Sequence, residues 1–266
     1  MKNMEVSAGR GLIARRDLLR SIGAVGGSAV GAISASFLLN RSIPGGVSMS
    51  GENLISAKAA VDHLILGASD LDQAIAWFEK TAGVKPVIGG VHPGRGTRNA
   101  LVSLGGRQYL EILAPDPAQQ VASLPYGLKS LTTPRLINWA AVTNDINLIA
   151  ERSRSGGLSV TSPRDGSRAR PDGRMLKWKS LDVVSRSGDE HAVLIPFFIQ
   201  WAADSLHPSQ DSPKGCELKS FEMEHPDPAS VIETLRKLGV EAKVKQAGES
   251  KLVATLRTPK GKVELV

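Results

Sequence analysis

The chain has 266 residues, of which 41% are hydrophobic and 22% charged, a composition typical of a globular protein with one large or two small domains. The formal charge of +7 falls to +3 without residues 1–59, which hold seven Lys or Arg and three acidic residues, so we expect no nucleic-acid binding. The single cysteine, Cys216, excludes an internal disulfide and a thiolate-cluster zinc site.

The N-terminus combines an arginine pair with an uncharged segment. ARRDLLRS at 14–21 contains Arg15 and Arg16, and the next eighteen residues, 22–39, are rich in Gly and Ala. This layout resembles a twin-arginine export signal, so we interpret residues 1–59 as a signal and linker that directs the protein to the periplasm or the extracellular space. AKA at 57–59 is a candidate cleavage site. The alternative is an uncleaved membrane anchor, because a span needs about 20 apolar residues. In both cases only this segment meets the membrane.

The rest of the chain uses one pattern about three times. Its first copy begins with the strand-like VDHLILGAS and continues with DLDQAIAWFEKTAG, whose apolar residues recur at helical spacing. Three strand-like segments follow: VKPVIGGV, TRNALVSL and RQYLEILAP. The order strand, helix, three strands predicts a βαβββ module.

Two weaker copies follow the first. The second covers 136–201 and begins with LINWAAVTNDINLIAERSRSGGL; the third begins with LKSFEMEHPDPASVIETLRKLGV at 218. The stretches 116–134 and 202–214 carry Pro, Ser and Gly and are typical of linkers. We therefore predict a domain of two modules over 60–208 and a third βαβββ-like module over 215–266.

Several motifs point to one family. They are VDHLILGASDLDQAIAWFEKTAGV, HPGRGTRNALVSLGGRQYLEILAPDP, RPDGRMLKW, PFFIQW and the HP at 207 and 208. With them the chain resembles the glyoxalase-like domain branch of the vicinal oxygen chelate superfamily. The resemblance implies an α+β fold in which βαβββ modules form a curled mixed sheet around a cavity. It also implies a divalent metal, Zn, Ni, Mn or Fe, and an activity among lyases, dioxygenases, epimerases and binding proteins.

Strand alternation places two polar side chains in the same space. In VDHLILGAS, Leu64 and Leu66 face the helix, which turns His63 to the concave side. In RQYLEIL the same argument turns Glu111 to that side. In the superfamily the metal ligands come from the first and fourth strands of a module, and these two residues hold those positions. An imidazole and a carboxylate are suitable ligands.

The remaining ligands depend on which modules pair. If the first module pairs with the third, Glu264 matches Glu111 and the set becomes His63, Glu111 and Glu264 with an open position for water. If it pairs with the second, Phe198 or Gln200 stands opposite Glu111. The competing interpretation is a metal-free pocket in which His63 and Glu111 bond to each other.

Other residues are candidates for substrate contacts. Arg98, Asn99 and Arg170 offer groups that bind a carboxylate or a phosphate. Trp178, Phe198 and Gln200 are candidates for the cavity wall, although alternation also allows Phe197 and Ile199 to face it.

These observations predict an exported, metal-dependent enzyme of lyase or isomerase type that acts on a small oxygenated molecule, with Glu111 or Glu264 as proton shuttle. The alternative is a metal-free protein that sequesters a small molecule in the same cavity. A homodimer is a further expectation, because unpaired modules in this superfamily find partners in a second subunit.

Overall fold

The computed structural model describes residues 54–184 and 192–266. The arginine pair and the uncharged segment of the predicted export signal lie outside the described residues. Within them, no helix has both the length and the apolar character needed to cross a membrane. The helices are α1 (Ala57–Ala60), α2 (Leu71–Ala82), α3 (Ile146–Ser155), α4 (Pro208–Asp211) and α5 (Pro228–Lys237), with a 3-10 segment at Pro125–Ser130.

The described strands number fourteen, and eight of them form one sheet. In chain order the strands are β1 (Ile55–Ser56), β2 (Val61–Gly67), β3 (Val87–His92), β4 (Thr97–Ser103), β5 (Tyr109–Pro115), β6 (Arg135–Val142), β7 (Arg164–Ala169), β8 (Met175–Leu181), β9 (Phe197–Trp201), β10 (Glu217–His225), β11 (Val240–Glu241), β12 (Val244–Gln246), β13 (Lys251–Thr258) and β14 (Gly261–Leu265). The eight-stranded sheet has the order β3-β4-β5-β2-β6-β9-β8-β7.

This sheet consists of two βαβββ halves. β2, α2 and β3 to β5 form the first half, and β6, α3 and β7 to β9 form the second. In each half the first strand runs parallel to the last, as β2 does to β5 and β6 to β9, while β2 and β6 join the halves antiparallel. The first and second modules therefore pair, which decides between the two alternatives left open by the sequence.

The two helices begin and end where short-range chemistry dictates. Asp70 caps α2 by accepting from the backbone N–H of Gln73, and Asp145 caps α3 in the same way. Gly83 ends α2 with φ 76°, a left-handed conformation that glycine adopts at little cost. Both helices bury their apolar face against the outer side of the sheet, which leaves its inner side free to line a cavity.

The sheet curls until its two edges nearly meet. Arg168 of β7 donates to the backbone carbonyl of Gly89 in β3. Gly90, with φ 137°, lies so close to β7 that a Cβ there would stand 2.8 Å from the carbonyl oxygen of Ala169. We call this contact between β3 and β7 the seam. It makes the curled α+β sheet nearly closed.

The C-terminal segment forms a four-stranded sheet in the order β12-β10-β13-β14. It opens with a strand and a helix as predicted, but its first strand pairs with β12 and β13 instead of with the last strand. One face packs on the shared core, where Phe221 meets Trp139 with ring centroids 5.1 Å apart. This segment thus packs against the rest of its own chain. The argument for a homodimer from an unpaired module therefore no longer applies, and the homodimer stays a prediction.

The proposed cleavage site belongs to the folded part of the chain. β1 pairs parallel with β11, and the hydroxyl of Ser56 caps α1. Ala57 and Ala60 of that helix are buried. Cleavage after Ala59 would remove β1 and interrupt α1.

Candidate functional site

The inner side of the curled sheet encloses a cavity of about 360 Å³, a size typical of small-molecule sites. The first half of the sheet lines it with His63 and Ile65 from β2 and with Tyr109, Glu111 and Leu113 from β5. His63 and Glu111 are the residues that strand alternation turned to the concave side. A small apolar cluster of Ile65, Leu113, Leu128, Leu131 and Ile137 lies beside them, with Phe197 packed against it.

The His63 ring is held in one orientation. Its face stacks on Tyr109 at a centroid distance of 4.6 Å, and Phe197 meets it edge-on at 5.5 Å. Its Nδ1 lies 2.7 Å from Oδ1 of Asp62, which is buried. Few rotamers satisfy all three neighbours, so the side of the ring that carries Nε2 stays turned to the cavity.

Asp62 decides which nitrogen of His63 carries the proton. Its Oδ2 accepts from Nε1 of Trp201 at 2.9 Å and lies 3.0 Å from Nε2 of His207, whose Nδ1 accepts from the N–H of Ser209. Burial raises the pKa of Asp62, but the hydrogen bonds of His207 and His63 outweigh burial and lower it to about 2. An ionised carboxylate only accepts, so His63 donates from Nδ1, and in the neutral imidazole Nε2 carries the lone pair on the cavity side.

Glu111 faces the same space as that lone pair. Its Oε2 lies 3.6 Å from Nε2 of His63, and its Oε1 accepts a 2.6 Å hydrogen bond from Nδ2 of Asn99. Burial raises the pKa of Glu111, but the nearby His92 and His63, the Asn99 bond and Arg168 together place it below its ordinary value. The cavity therefore presents an imidazole lone pair and a carboxylate side by side.

His92 is a cavity residue that the sequence did not single out. Its Nε2 lies 3.6 Å from Oε1 of Glu111, and its Nδ1 is 2.9 Å from the hydroxyl of Thr97. Burial lowers its pKa, and the charge of Glu111 opposes that shift. The pairing of β3 with β4 shifts register between Ile88 and Gly90, so alternation counted along β3 does not predict the side that His92 faces.

The predicted set of metal ligands does not assemble. Glu264 is exposed on β14 of the four-stranded sheet and is absent from the cavity wall. In the two described ranges, no group of three or more His, Cys, Asp and Glu side chains is placed to hold a metal ion. His63 and His92 approach different oxygens of Glu111 and so flank the carboxylate. The donor types suit a divalent ion, but their arrangement does not.

The two arginines predicted to bind substrate, Arg98 and Arg170, point away from the cavity. Arg98 alternates with the cavity residues Thr97 and Asn99 on β4, and its guanidinium pairs with Asp72 at 3.1 Å. Arg170 follows the end of β7 and pairs with Asp211 at 2.8 Å. Both predictions are corrected, because each side chain finds its carboxylate outside the cavity. Asn99 does lie in it.

The aromatic wall comes from the opposite face of β9 to the one predicted. Phe197, Ile199 and Trp201 line the cavity, whereas Phe198 is buried in the main core. The side chain of Gln200 accepts from the N–H of Ile146 and holds the start of α3. Trp178 of β8 lies at the cavity as expected.

Arg168 is the cavity guanidinium that the sequence argument missed. It is 5% exposed, lines the cavity and bonds to Gly89 across the seam. Burial lowers its pKa and Glu111 opposes that shift, but an arginine stays protonated near neutral pH. The sequence does place Arg168 on the same face of β7 as Gly166. That face can be assigned to the cavity only once the curl of the sheet is known.

Known proteins bear out the architecture. The model of the glyoxalase-like domain family matches residues 61–239. The chain belongs to the glyoxalase-like domain family. Its curled α+β sheet is consistent with the vicinal oxygen chelate fold that the resemblance implies. A hypothetical protein from Staphylococcus aureus has a similar structure, with 18% identity, a TM-score of 0.57 and coverage of 72% of this chain and 87% of that one.

A more distant match is the methylmalonyl-CoA epimerase of Mycobacterium tuberculosis. It shares 17% identity, with a TM-score of 0.37 and coverage of 57% of this chain and 91% of the epimerase. A comparison with curated proteins gives no match.

Proposed function

We propose that this glyoxalase-like protein is an enzyme of lyase or isomerase type that moves a proton at a carbon next to a carbonyl or carboxylate group. One observation carries the proposal: the lone pair of His63, set by a buried and ionised Asp62, shares the cavity with the Glu111 carboxylate at 3.6 Å. Titratable groups paired in this way inside a small-molecule cavity are typical of proton-transfer sites.

The roles of the two groups follow from their charge states. His63 accepts the substrate proton at Nε2, because a neutral imidazole is a stronger base near pH 7 than a carboxylate of lowered pKa. The C–H electrons move to the carbonyl oxygen and form an enolate. Asp62 and Glu111 flank the resulting imidazolium and stabilise its charge. Return of the proton at another position or face gives isomerisation, and expulsion of a leaving group gives a lyase.

The test is deuterium exchange at carbon. The chain is incubated in D₂O with a panel of small carbonyl compounds and organic acids, and loss of α-proton signals is followed by NMR. We expect His63→Gln to slow exchange by about 10²-fold or more and Glu111→Gln to slow it less. Glu264→Gln is the matched control, since this exposed acid lies on the other sheet. Exchange at the wild-type rate in His63→Gln would refute the proposal.

Metal dependence needs a separate measurement. Only two of the three predicted ligands share the cavity, so no proposed step passes through a metal. Elemental analysis of protein without a histidine tag, after exposure to Zn, Ni, Mn and Fe, is expected to show substoichiometric metal. A near-stoichiometric ion that His63→Gln and Glu111→Gln both release would instead establish a metal centre.

A metal-free binding protein is the second candidate. The missing third ligand favours it, because the described residues then form a polar cavity without an arrangement that holds a metal. Such a protein would bind a ligand from the panel tightly and exchange none of its protons. A small molecule that exchanges in the presence of the chain removes this candidate.

We also propose that the chain is exported by the twin-arginine route, as Arg15 and Arg16 predict. Any processing then occurs before Ile55, because β1 and α1 belong to the fold. Cell fractionation of the full chain beside the variant with both arginines changed to Lys tests export. N-terminal sequencing of the exported form locates the cut. A homodimer stays a prediction, which light scattering checks.

A further inference from the structure

One buried cation in the cavity has no carboxylate partner. The guanidinium of Arg168 carries five N–H donors, and its bond to the carbonyl of Gly89 uses one of them. It forms no ion pair with a described residue, although Arg168 is 5% exposed. A buried guanidinium is seldom left so incompletely paired. Its remaining donors lie on the cavity wall.

The other charged side chains at this wall are paired with each other or exposed. Arg164 pairs with Asp182, and Arg95 is exposed at the mouth. The charge of Glu111 acts on Arg168 through space, but Glu111 accepts its hydrogen bond from Asn99 and lies 3.6 Å from two imidazole nitrogens. No described carboxylate therefore contacts the guanidinium of Arg168, which leaves its donors to a ligand with one negative group.

The seam holds this guanidinium in place before any ligand arrives. A Cβ on Gly90 would stand 2.9 Å from Nη1 of Arg168, so glycine there lets the side chain reach across to β3. A pre-oriented guanidinium binds a planar carboxylate through two parallel hydrogen bonds at little cost in side-chain entropy.

Part of this wall is aromatic and apolar, beside polar residues such as Ser167 and Ser180. Trp178 and Trp201 lie with ring centroids 5.7 Å apart, and Phe197 and Ile199 also line the cavity. Flat aromatic walls of this kind bind the apolar body of a ligand.

We propose that the cavity binds a small monocarboxylic acid with an apolar or aromatic body, its carboxylate on Arg168 and its body against Trp178 and Phe197. This inference deepens the proposed function by naming the substrate class. Arg168 would hold the carboxylate while the neighbouring carbon faces His63, and would stabilise the charge that develops when the proton leaves.

Binding, measured by calorimetry at pH 7, tests the inference independently of catalysis. The probes are benzoate, phenylacetate, phenylpyruvate and mandelate, each compared with its primary amide, and phenyl phosphate. We expect at least one acid to bind about 10- to 100-fold more tightly than its amide, the range for a charge-assisted bidentate contact. Arg168→Gln is expected to abolish this preference, and Arg168→Lys to restore part of it. Arg98→Gln, whose guanidinium lies outside the cavity, is expected to keep it.

Three results would overturn the inference: no acid binds the wild type better than its amide, the preference survives in Arg168→Gln, or phenyl phosphate binds more tightly than every acid. The wild-type comparison of acid with amide stands even where Arg168→Gln unfolds. A purely structural role at the seam would lower the melting temperature without changing the preference. Acid binding that persists in His63→Gln while exchange is absent from every protein would refute the proposed function and leave this subsite intact.

Discussion

The two halves of the eight-stranded sheet share a topology but carry different chemistry. The first half supplies the titratable groups His63, His92 and Glu111 to the cavity. The second half supplies Trp178, Phe197 and the guanidinium of Arg168. Helix, strand order and parallel pairing are the same in both halves, so the fold does not dictate the chemistry. In this chain one half carries the imidazoles and the carboxylate, and the other carries the aromatic side chains and a guanidinium.

The largest expected effect is on the first half, at Asp62. Asp62→Asn removes the charge that holds three N–H donors and frees the tautomer of His63. Breaking such a buried arrangement is expected to lower the free energy of unfolding by about 3 to 5 kcal/mol. It should also slow deuterium exchange and change its pH profile. Urea unfolding and the exchange assay check this, with the exposed Asp72→Asn as control. Equal stability of the two variants would contradict the role of Asp62.

Acid unfolding of the unmodified chain is a second test of Asp62. The folded pKa of Asp62, about 2, lies below its ordinary value of 3.8, so its contribution is fully present above pH 4. That contribution, about 2 kcal/mol, is lost as the pH falls from about 4 to below 2. We expect stability in Asp62→Asn to depend less on pH across this window. If the unfolding free energies of the wild type and of Asp62→Asn fall in parallel with pH, other carboxylates account for acid unfolding.

The seam joins the two halves, and a substitution there tests how much their contact stabilises the fold. Gly90→Ala forces a side chain into a φ of 137° and places a Cβ 2.8 Å from the carbonyl oxygen of Ala169. We expect a loss of about 1 kcal/mol or more in unfolding free energy. Gly94→Ala, with φ 72° and no atom within 4 Å of its Cβ, measures the cost of the positive φ alone. An equal loss in both variants would mean that closure of the sheet is unaffected.

The smallest expected effect falls on the aromatic wall of the second half. A Cβ on Gly166 would overlap the indole of Trp178, which lies over this glycine across β7 and β8. We expect Gly166→Ala to displace the ring, to change tryptophan fluorescence and to weaken ligand binding several-fold, while exchange per bound ligand is retained. Gly248→Ala, where no atom lies within 4 Å of the new Cβ, is the matched control. A fall in exchange without a change in binding would assign proton transfer to this half as well.

Much of the first half could be predicted from sequence, because strand alternation is a local property. The turn of His63 and Glu111 toward one space follows from the apolar residues beside them, and the structure places both in the cavity. The same argument was ambiguous on β9, where residues on both faces are apolar or aromatic, and it favoured Phe198 over Phe197. It missed His92, because a register shift interrupts β3.

The βαβββ pattern and the side to which two site residues turn follow from the sequence alone, since each depends on neighbours a few positions away. Three features became known from the folded chain: which modules pair, the position of Glu264 on a separate sheet, and the presence of Arg168 at the cavity in place of Arg98 or Arg170. Those outcomes depend on strand pairing and sheet curl between residues far apart in the chain. No local periodicity encodes them.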